Sequence, residues 1–138
     1  MLVKQVAKLL NVTTDTVRFY TRIKILQPIK SDTTGYREYT EKEISRLRFV
    51  LSARQLGFSV SDIKQILAEA DDEKSPCFTV RRLIDQRLNE TEKRFSEMLA
   101  LRKRMKQAVF EWSDKPDEAP TAHMICHLIE GFASPRKE

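Results

Sequence analysis

Thr13-Thr14-Asp15-Thr16-Val17-Arg18-Phe19-Tyr20-Thr21-Arg22 follows Val3-Lys4-Gln5-Val6-Ala7-Lys8-Leu9-Leu10 after only two residues, Asn11-Val12, and this juxtaposition decides the fold. Val6, Leu9 and Leu10 alternate with Lys4, Gln5 and Lys8 at helical spacing. Thr13 or Thr14 can cap a second helix running through Val17, Phe19 and Tyr20 to about Arg22, because a threonine oxygen accepts an amide hydrogen bond that a helix start leaves open. Two short helices joined by a tight turn describe a helix-turn-helix. Any small three-helix core would share this spacing, so the flanking chain has to decide.

Downstream, Pro28 bars a helical interior and Ser31-Asp32-Thr33-Thr34-Gly35 is turn chemistry. Flanked by Gln27–Lys30 and Tyr36–Tyr39, it predicts a small β-hairpin, a wing. Thr40 and Glu43 have capping-box spacing at the head of a third helix, whose core side is expected to be Ile44, Leu47, Leu51 and Leu56. Gly57 ends that helix, and Ser59-Val60-Ser61-Asp62 caps a fourth with Ile63, Ile66 and Leu67 inward.

Asp71-Asp72-Glu73-Lys74 is a charged break, after which Ser75-Pro76 supplies an N-cap and first-turn proline. From there to about Glu111 there is no Gly or Pro. Ile84, Leu88, Thr91, Phe95, Met98, Arg102, Met105 and Val109 recur in alternating steps of four and three, a heptad seam. A helix of that span is roughly 50 Å long. A chain of 138 residues cannot cover such a stripe alone, so the apolar members Ile84, Leu88, Phe95, Met98, Met105 and Val109 call for a second copy about a two-fold axis. Beyond the polar loop Trp112–Pro120, Met124, Ile125, Leu128, Ile129 and Phe132 would share one face of a two-turn helix, with His123, Cys126, His127 and Glu130 on the other. The last six residues are expected to be a frayed tail.

Composition narrows the function classes. The chain carries net charge +5, yet residues 1–58 hold 11 basic and 5 acidic side chains while the remainder is close to neutral. A positive excess confined to the helix-turn-helix and wing is the footprint of a nucleic-acid contact. No apolar run approaches a membrane span and no signal peptide opens the chain, so a cytoplasmic protein without membrane partners is expected. Two cysteines 49 positions apart, Cys77 and Cys126, read as free thiols or metal ligands. A Gly-rich phosphate loop and a spaced nucleophile–base arrangement are both missing, and no enzyme is expected.

Three strings, Thr16-Val17-Arg18-Phe19-Tyr20, Gly35-Tyr36-Arg37-Glu38-Tyr39-Thr40 and Ala53-Arg54-Gln55-Leu56-Gly57-Phe58-Ser59, resemble in order and spacing the recognition helix, wing and second helical pair of the MerR family of bacterial transcription regulators. The resemblance implies a mainly α fold. A winged helix-turn-helix DNA-binding domain with its second helical pair would occupy residues 1–74, a long antiparallel coiled-coil dimerisation helix 75–112, and an effector-binding loop, short helix and tail 113–138. It also implies a homodimer on promoter DNA. That dimer would bend and undertwist an overlong spacer so that RNA polymerase can use both promoter elements, and the unliganded form can repress. Arg18 suits a phosphate or a guanine edge, and Tyr20, Tyr36 and Arg37 suit phosphates at matching family positions. Lys4, Lys30 and Arg54 are further phosphate candidates. Phe19, Tyr39 and Phe49 are read as core. Ser31 stands at a wing position that is often Arg in the family, where Lys30 would substitute.

In the same resemblance, Cys77 falls where sensors of divalent thiophilic ions carry cysteine and copper(I) sensors usually carry serine, and Cys126 matches a later loop cysteine. Such sensors usually have another cysteine soon after the long helix, where this chain has Trp112-Ser113-Asp114. The implied site is therefore Cys77 of one copy with Cys126, His123 and His127 of the other. Two thiolates and one or two imidazoles suit tetrahedral Zn²⁺, or a softer ion such as Cd²⁺, as effector. Glu130, Asp114 and Asp117 are candidate oxygen donors.

Two other sensing modes fit the scaffold. A thiol at the positive end of a long helix suits redox or electrophile sensing, and a small organic effector would bind near the hinge between the fourth and the long helix. A scaffold that uses the long helix without touching DNA is the alternative of another class.

Overall fold

The computed structural model describes residues 1–132. The frayed tail expected over the last six residues lies outside the described residues. The element order is α1 (Val3–Leu10), α2 (Thr14–Arg22), β1 (Ile29–Lys30), β2 (Arg37–Glu38), α3 (Glu41–Gln55), α4 (Val60–Asp71), α5 (Cys77–Trp112) and α6 (His127–Phe132). The described residues form two compact units, Met1–Leu88 and a second that begins at Asn89, with the boundary inside α5.

In the first unit, α1 ends on Asn11 in the left-handed conformation (φ 57°), and Val12 returns its amide to Ala7 O at 2.9 Å. Thr13 then caps α2, its Oγ1 accepting from Thr16 N at 3.1 Å. The helix-turn-helix is thus built by two caps two positions apart. Strands β1 and β2 pair antiparallel, Ile29 opposite Glu38 and Lys30 opposite Arg37. Ser31 Oγ accepts from Thr33 N and Thr34 N, and Gly35 takes φ +75°, so the hairpin turn uses the serine where the family often has arginine.

The core gathers Val6, Val17, Leu26, Tyr39, Leu47, Val50, Ile63 and Ile66, all essentially without solvent contact. Tyr39 joins three elements: its hydroxyl lies 2.8 Å from Thr21 Oγ1, and its backbone exchanges two hydrogen bonds with Met1. Of the aromatics read as core, only Tyr39 is buried. Phe19 and Phe49 keep 36% and 37% of their surface exposed.

Two expectations in α3 need correction. Thr40 is its N-cap residue but makes no side-chain cap bond, and Glu43 does not close a capping box. The buried Glu43 carboxylate instead accepts from Gln27 N at 2.9 Å. An amide left unpaired there, against the core, costs more than leaving the exposed helix start to water. Leu56 is not a core residue and keeps 66% of its surface exposed. At 100° per residue it lies 140° round the helix from Leu51. Val50 and Ala53 fill that face, and after Gly57 (φ +92°) the chain turns Phe58 inward. The fourth helix starts as expected, with Ser59 and Asp62 exchanging hydrogen bonds of 2.9 and 3.0 Å.

The root of α5 is fastened to α4. Leu83 and Thr79 are buried, and Val80 and Ile84 pack on the same core. Thr79 Oγ1 donates to Glu69 Oε2 at 2.7 Å, and Arg87 Nε stands 3.3 Å from Asp62 Oδ2. The helix starts one residue later than the cap reading places it: Pro76 O accepts from Val80 N, which makes Pro76 the N-cap, and Ser75 Oγ accepts from Cys77 N at 3.4 Å.

In the second unit, Trp112 and Phe132 meet edge to face with ring centroids 6.1 Å apart. The expected two-turn helix is shorter, because α6 begins only at His127. Thr121 N bonds Met124 O in a turn, and Glu130 Oε2 accepts from both Ile125 N and Cys126 N, at 2.8 and 2.6 Å. His123 and Cys126 therefore precede the helix rather than sharing its face, and Ile125 and Ile129 are exposed.

Candidate functional site

Four of the predicted DNA-contact residues come together. Lys4 on α1, Arg18 on α2, and Tyr36 and Arg37 on the wing line one groove of about 710 Å³, completed by Leu2, Val3, Gln5, Gly35 and Tyr39. Each reaches it for a local reason. Arg18 is one turn into α2, where its guanidinium lies 3.3 Å from Thr14 Oγ1 and 3.6 Å from Asp15 Oδ1 while half exposed. Tyr36 follows the left-handed Gly35 and leaves 66% of its surface free. The Met1–Tyr39 hydrogen bonds hold the start of α1 against the wing exit, so that Lys4 and Arg37 line the same groove.

Lys30 faces Arg37 across the hairpin, so both side chains project from the same side of the wing. Arg22, which sequence reasoning passed over, lies with its guanidinium 5.5 Å from the Phe19 ring centroid, a cation–π contact on the surface of α2. It holds a second cation on the recognition helix, and its spacing of four from Arg18 was the available signal.

The other contact candidates stand differently. Tyr20 belongs to the core, with 6% of its surface exposed and its ring edge-on to Phe19 at 5.0 Å. Packing is its main role. Arg54 donates to Phe58 O at 2.9 Å, bracing the turn between α3 and α4, and does not line the groove.

The effector candidates lie in separate stretches. Cys77 is an exposed free thiol at the first position of α5 in the first unit. Cys126, His123 and His127 lie in the second unit. Cys126 is a half-buried free thiol whose backbone is held at both ends by Glu130, through the carboxylate and through Glu130 N to Cys126 O at 3.1 Å. Glu130 Oε2 is thereby committed to the backbone. His123 is exposed, its amide bonded to Thr121 Oγ1 at 3.3 Å. His127 Nε2 lies 2.8 Å from Pro116 O, and its Nδ1 3.9 Å from Glu118 Oε2. Glu118 was not among the oxygen donors expected from sequence. Among the described residues, no three His, Cys, Asp or Glu side chains of this one chain converge on a metal position.

Along α5, Leu88, Phe95, Met98, Met105 and Val109 are exposed by half or more. Ile84, the first member of the expected seam, packs against the core of the first unit instead of continuing that uncovered stripe. None of the described helices is long and apolar enough to cross a membrane.

Comparison with known proteins agrees with this arrangement. A family model described as MerR HTH family regulatory protein matches residues 1–70, and one described as MerR, DNA binding matches residues 44–108. The chain is 33% identical over 104 residues to the HTH-type transcriptional regulator ZntR of Escherichia coli (strain K12), covering 75% of this chain and 74% of that protein. It is 30% identical over 114 residues to a probable heavy metal-dependent transcriptional regulator of Haemophilus influenzae, covering 83% and 86% of the two chains. Among solved structures, the transcription regulator PbrR691 from Ralstonia metallidurans CH34 in complex with lead(II) shares the fold, with TM-score 0.71 over 96% of this chain and 99% of that one, at 22% identity. A groove lined by recognition helix and wing, and family models that span the first 108 residues, lead to one conclusion: the chain belongs to the MerR family of helix-turn-helix transcriptional regulators.

Proposed function

We propose that this regulator acts as a homodimer on promoter DNA and answers a thiophilic divalent metal ion, Zn²⁺ being the best match to its donors. The observation that carries the DNA half of this reading is the groove in which Lys4 and Arg18 meet the wing residues Tyr36 and Arg37. A helix cation and a wing cation on one surface suit a major-groove entry flanked by backbone contacts. The exposed stripe Leu88, Phe95, Met98, Met105, Val109 supports dimerisation, since a solvated apolar seam of that length is costly and a two-fold mate covers it. On the family pattern, the liganded dimer bends and undertwists an overlong promoter spacer for RNA polymerase.

The effector reading rests on a similar protein described as heavy metal-dependent and on the donors of this chain. Cys77 and Cys126 are free thiols, and His127 donates one ring N–H to a backbone carbonyl, which is how protein imidazoles are oriented toward a metal. Thiolate and imidazole together suit Zn²⁺. Cys77 of one copy, with Cys126, His123 and His127 of the other, would hold the ion. A bound divalent cation supplies positive charge and rigid bonds that lock the loop to the opposite dimer helix.

The exposure of Cys77 at the head of a 36-residue helix favours a second reading, a thiol sensor of oxidants or electrophiles. One titration separates the two. Anaerobically reduced protein is titrated with Zn²⁺, Cd²⁺ and Cu⁺ against a competing chelator, beside Cys77→Ser and Cys126→Ser. Tight uptake of one ion, lost in both variants, supports the metal sensor. Uptake no tighter than that of free histidine peptides removes it and leaves the thiol reading.

A further inference from the structure

The chain leaves α2 for the wing by a short, stiff path. Lys24 takes the left-handed conformation (φ 69°) without being glycine, and Ile25 N and Leu26 N both donate to Tyr20 O, at 3.0 and 3.1 Å. Ile25 and Leu26 then enter the core. No glycine stands between Arg22 and Ser31, and Pro28 fixes its own φ. Two side chains of α3 close on this path. Buried Glu43 accepts from Gln27 N at 2.9 Å. Arg46, three positions on and so on the same side of the helix, donates from Nε to Ile25 O at 3.0 Å. Its side chain is only 17% exposed, and its Nη1 meets Asp71 Oδ1, in the last residue of α4, at 2.8 Å. One guanidinium is thus divided between the backbone at the wing entry and the end of another helix.

Building on the DNA reading of the groove, we propose that Glu43 and Arg46 clamp the wing entry and serve DNA binding as positioning residues. They fix Lys30 and Arg37 relative to Arg18 and make no DNA contact of their own. Strand β1 begins two residues after Gln27, and its Lys30 stands opposite Arg37. Three extended residues span roughly 10 Å, so a tilt of about 10° at Gln27 displaces the Lys30–Arg37 pair by roughly 2 Å. A hydrogen bond to a phosphate tolerates only about half an ångström. The wing exit is anchored separately, through Tyr39 to Met1 and Thr21. Opening the clamp therefore frees the direction of the wing and leaves the wing attached. Asp71, half exposed, orients the guanidinium fork and carries little of the hold.

The test uses the full chain and a fluorescein-labelled duplex enriched on it from a random-sequence library. In Arg46→Met, affinity of the folded fraction is expected to fall about tenfold and the salt slope to shrink by about one. Arg37→Ala should then cost clearly less in the Arg46→Met background than in the unmodified protein, because a misdirected wing has already lost that contact. A role in stability alone leaves the two losses additive. A second measurement needs no variant to fold: in the unmodified protein the Gln27 amide hydrogen should exchange with solvent about 100-fold more slowly than that of Asp32 in the wing turn.

Unchanged affinity in Arg46→Met, additive losses, or a Gln27 amide that exchanges as fast as that of Asp32 overturns the clamp, while a loss in Arg37→Ala alone still upholds the groove. Unchanged affinity and salt slope in Arg37→Ala remove the wing from the DNA reading and the clamp with it.

Discussion

Arg87 Nε stands 3.3 Å from Asp62 Oδ2, with the two side chains only 24% and 9% exposed, and the same Asp62 carboxylate accepts the backbone hydrogen of Ser59 at 2.9 Å. One side chain thus caps α4 and meets α5. With Thr79 bonded to Glu69 and Leu83 in the core, the pair makes the first three turns of α5 part of the DNA-binding unit.

Removing Arg87 takes a cation from a nearly buried carboxylate that keeps its hydrogen bond from Ser59 N, a smaller loss than stranding a buried charge but larger than breaking an exposed ion pair. Arg87→Met is expected to lower unfolding stability by about 1–3 kcal/mol. A double-mutant cycle with Asp62→Asn should return a coupling of roughly 1 kcal/mol or more. Chemical denaturation of the four proteins gives the number. Additive losses would mean that the two side chains are mere neighbours.

The DNA groove predicts two kinds of loss. Arg37→Ala is expected to remove a phosphate-backbone contact, with affinity falling for every sequence alike and the salt slope shrinking by about one. Arg18→Ala should cost about 1–3 kcal/mol and relax sequence preference at one position if it reads a guanine. Arg54→Ala, whose guanidinium serves Phe58 O, should lower stability rather than specific affinity. Fluorescence anisotropy over a salt series separates these outcomes. Normal operator binding by Arg18→Ala and Arg37→Ala together would remove the groove from consideration.

The α5 stripe predicts a dimer that a single buried charge destroys. Phe95→Glu places a carboxylate in the middle of the seam, and sedimentation at micromolar concentration should change from dimer to monomer. Arg104→Glu, on the charged remainder of the helix, should leave the sedimentation unchanged. Equal behaviour of the two variants would refute the seam.

Leu47 and Leu56 are nine positions apart in and just past α3, yet one has no exposed surface and the other is two-thirds exposed. Leu47→Ala is expected to cost about 2–5 kcal/mol by opening a cavity, and Leu56→Ala to stay within about 0.5 kcal/mol. Thermal unfolding of the two variants checks it. A large loss at Leu56 would require a partner surface that covers it.

Local chemistry made most of the fold legible. Asn11, Thr13, Pro28, Gly35, Gly57 and Ser59 each act through their own backbone or the next three residues, so the bounds of α1 and α2, the wing, and the start of α4 follow from sequence. The cationic members of the groove were legible as well, because Arg18 and Arg37 sit in short, recognisable strings whose neighbours fix their exposure.

What the sequence could not decide depends on groups far along the chain. Glu43 has the spacing of a capping residue but serves Gln27, sixteen positions away, because burial makes that unpaired amide the costlier one. Tyr20 and Phe19 are adjacent aromatics, and only the packing of α2 against the core makes the first internal and the second a surface platform for Arg22. Likewise Glu118 meets His127 only because the loop folds back on α6 and Pro116 offers its carbonyl. By itself the sequence determined the order of the helices, the caps of α2 and α4 and the charge that marks a DNA-binding surface. The tertiary structure decided which of the polar groups spend themselves on the protein's own backbone and which are left over to meet a ligand, since a buried donor or acceptor is satisfied by whatever the fold brings within reach.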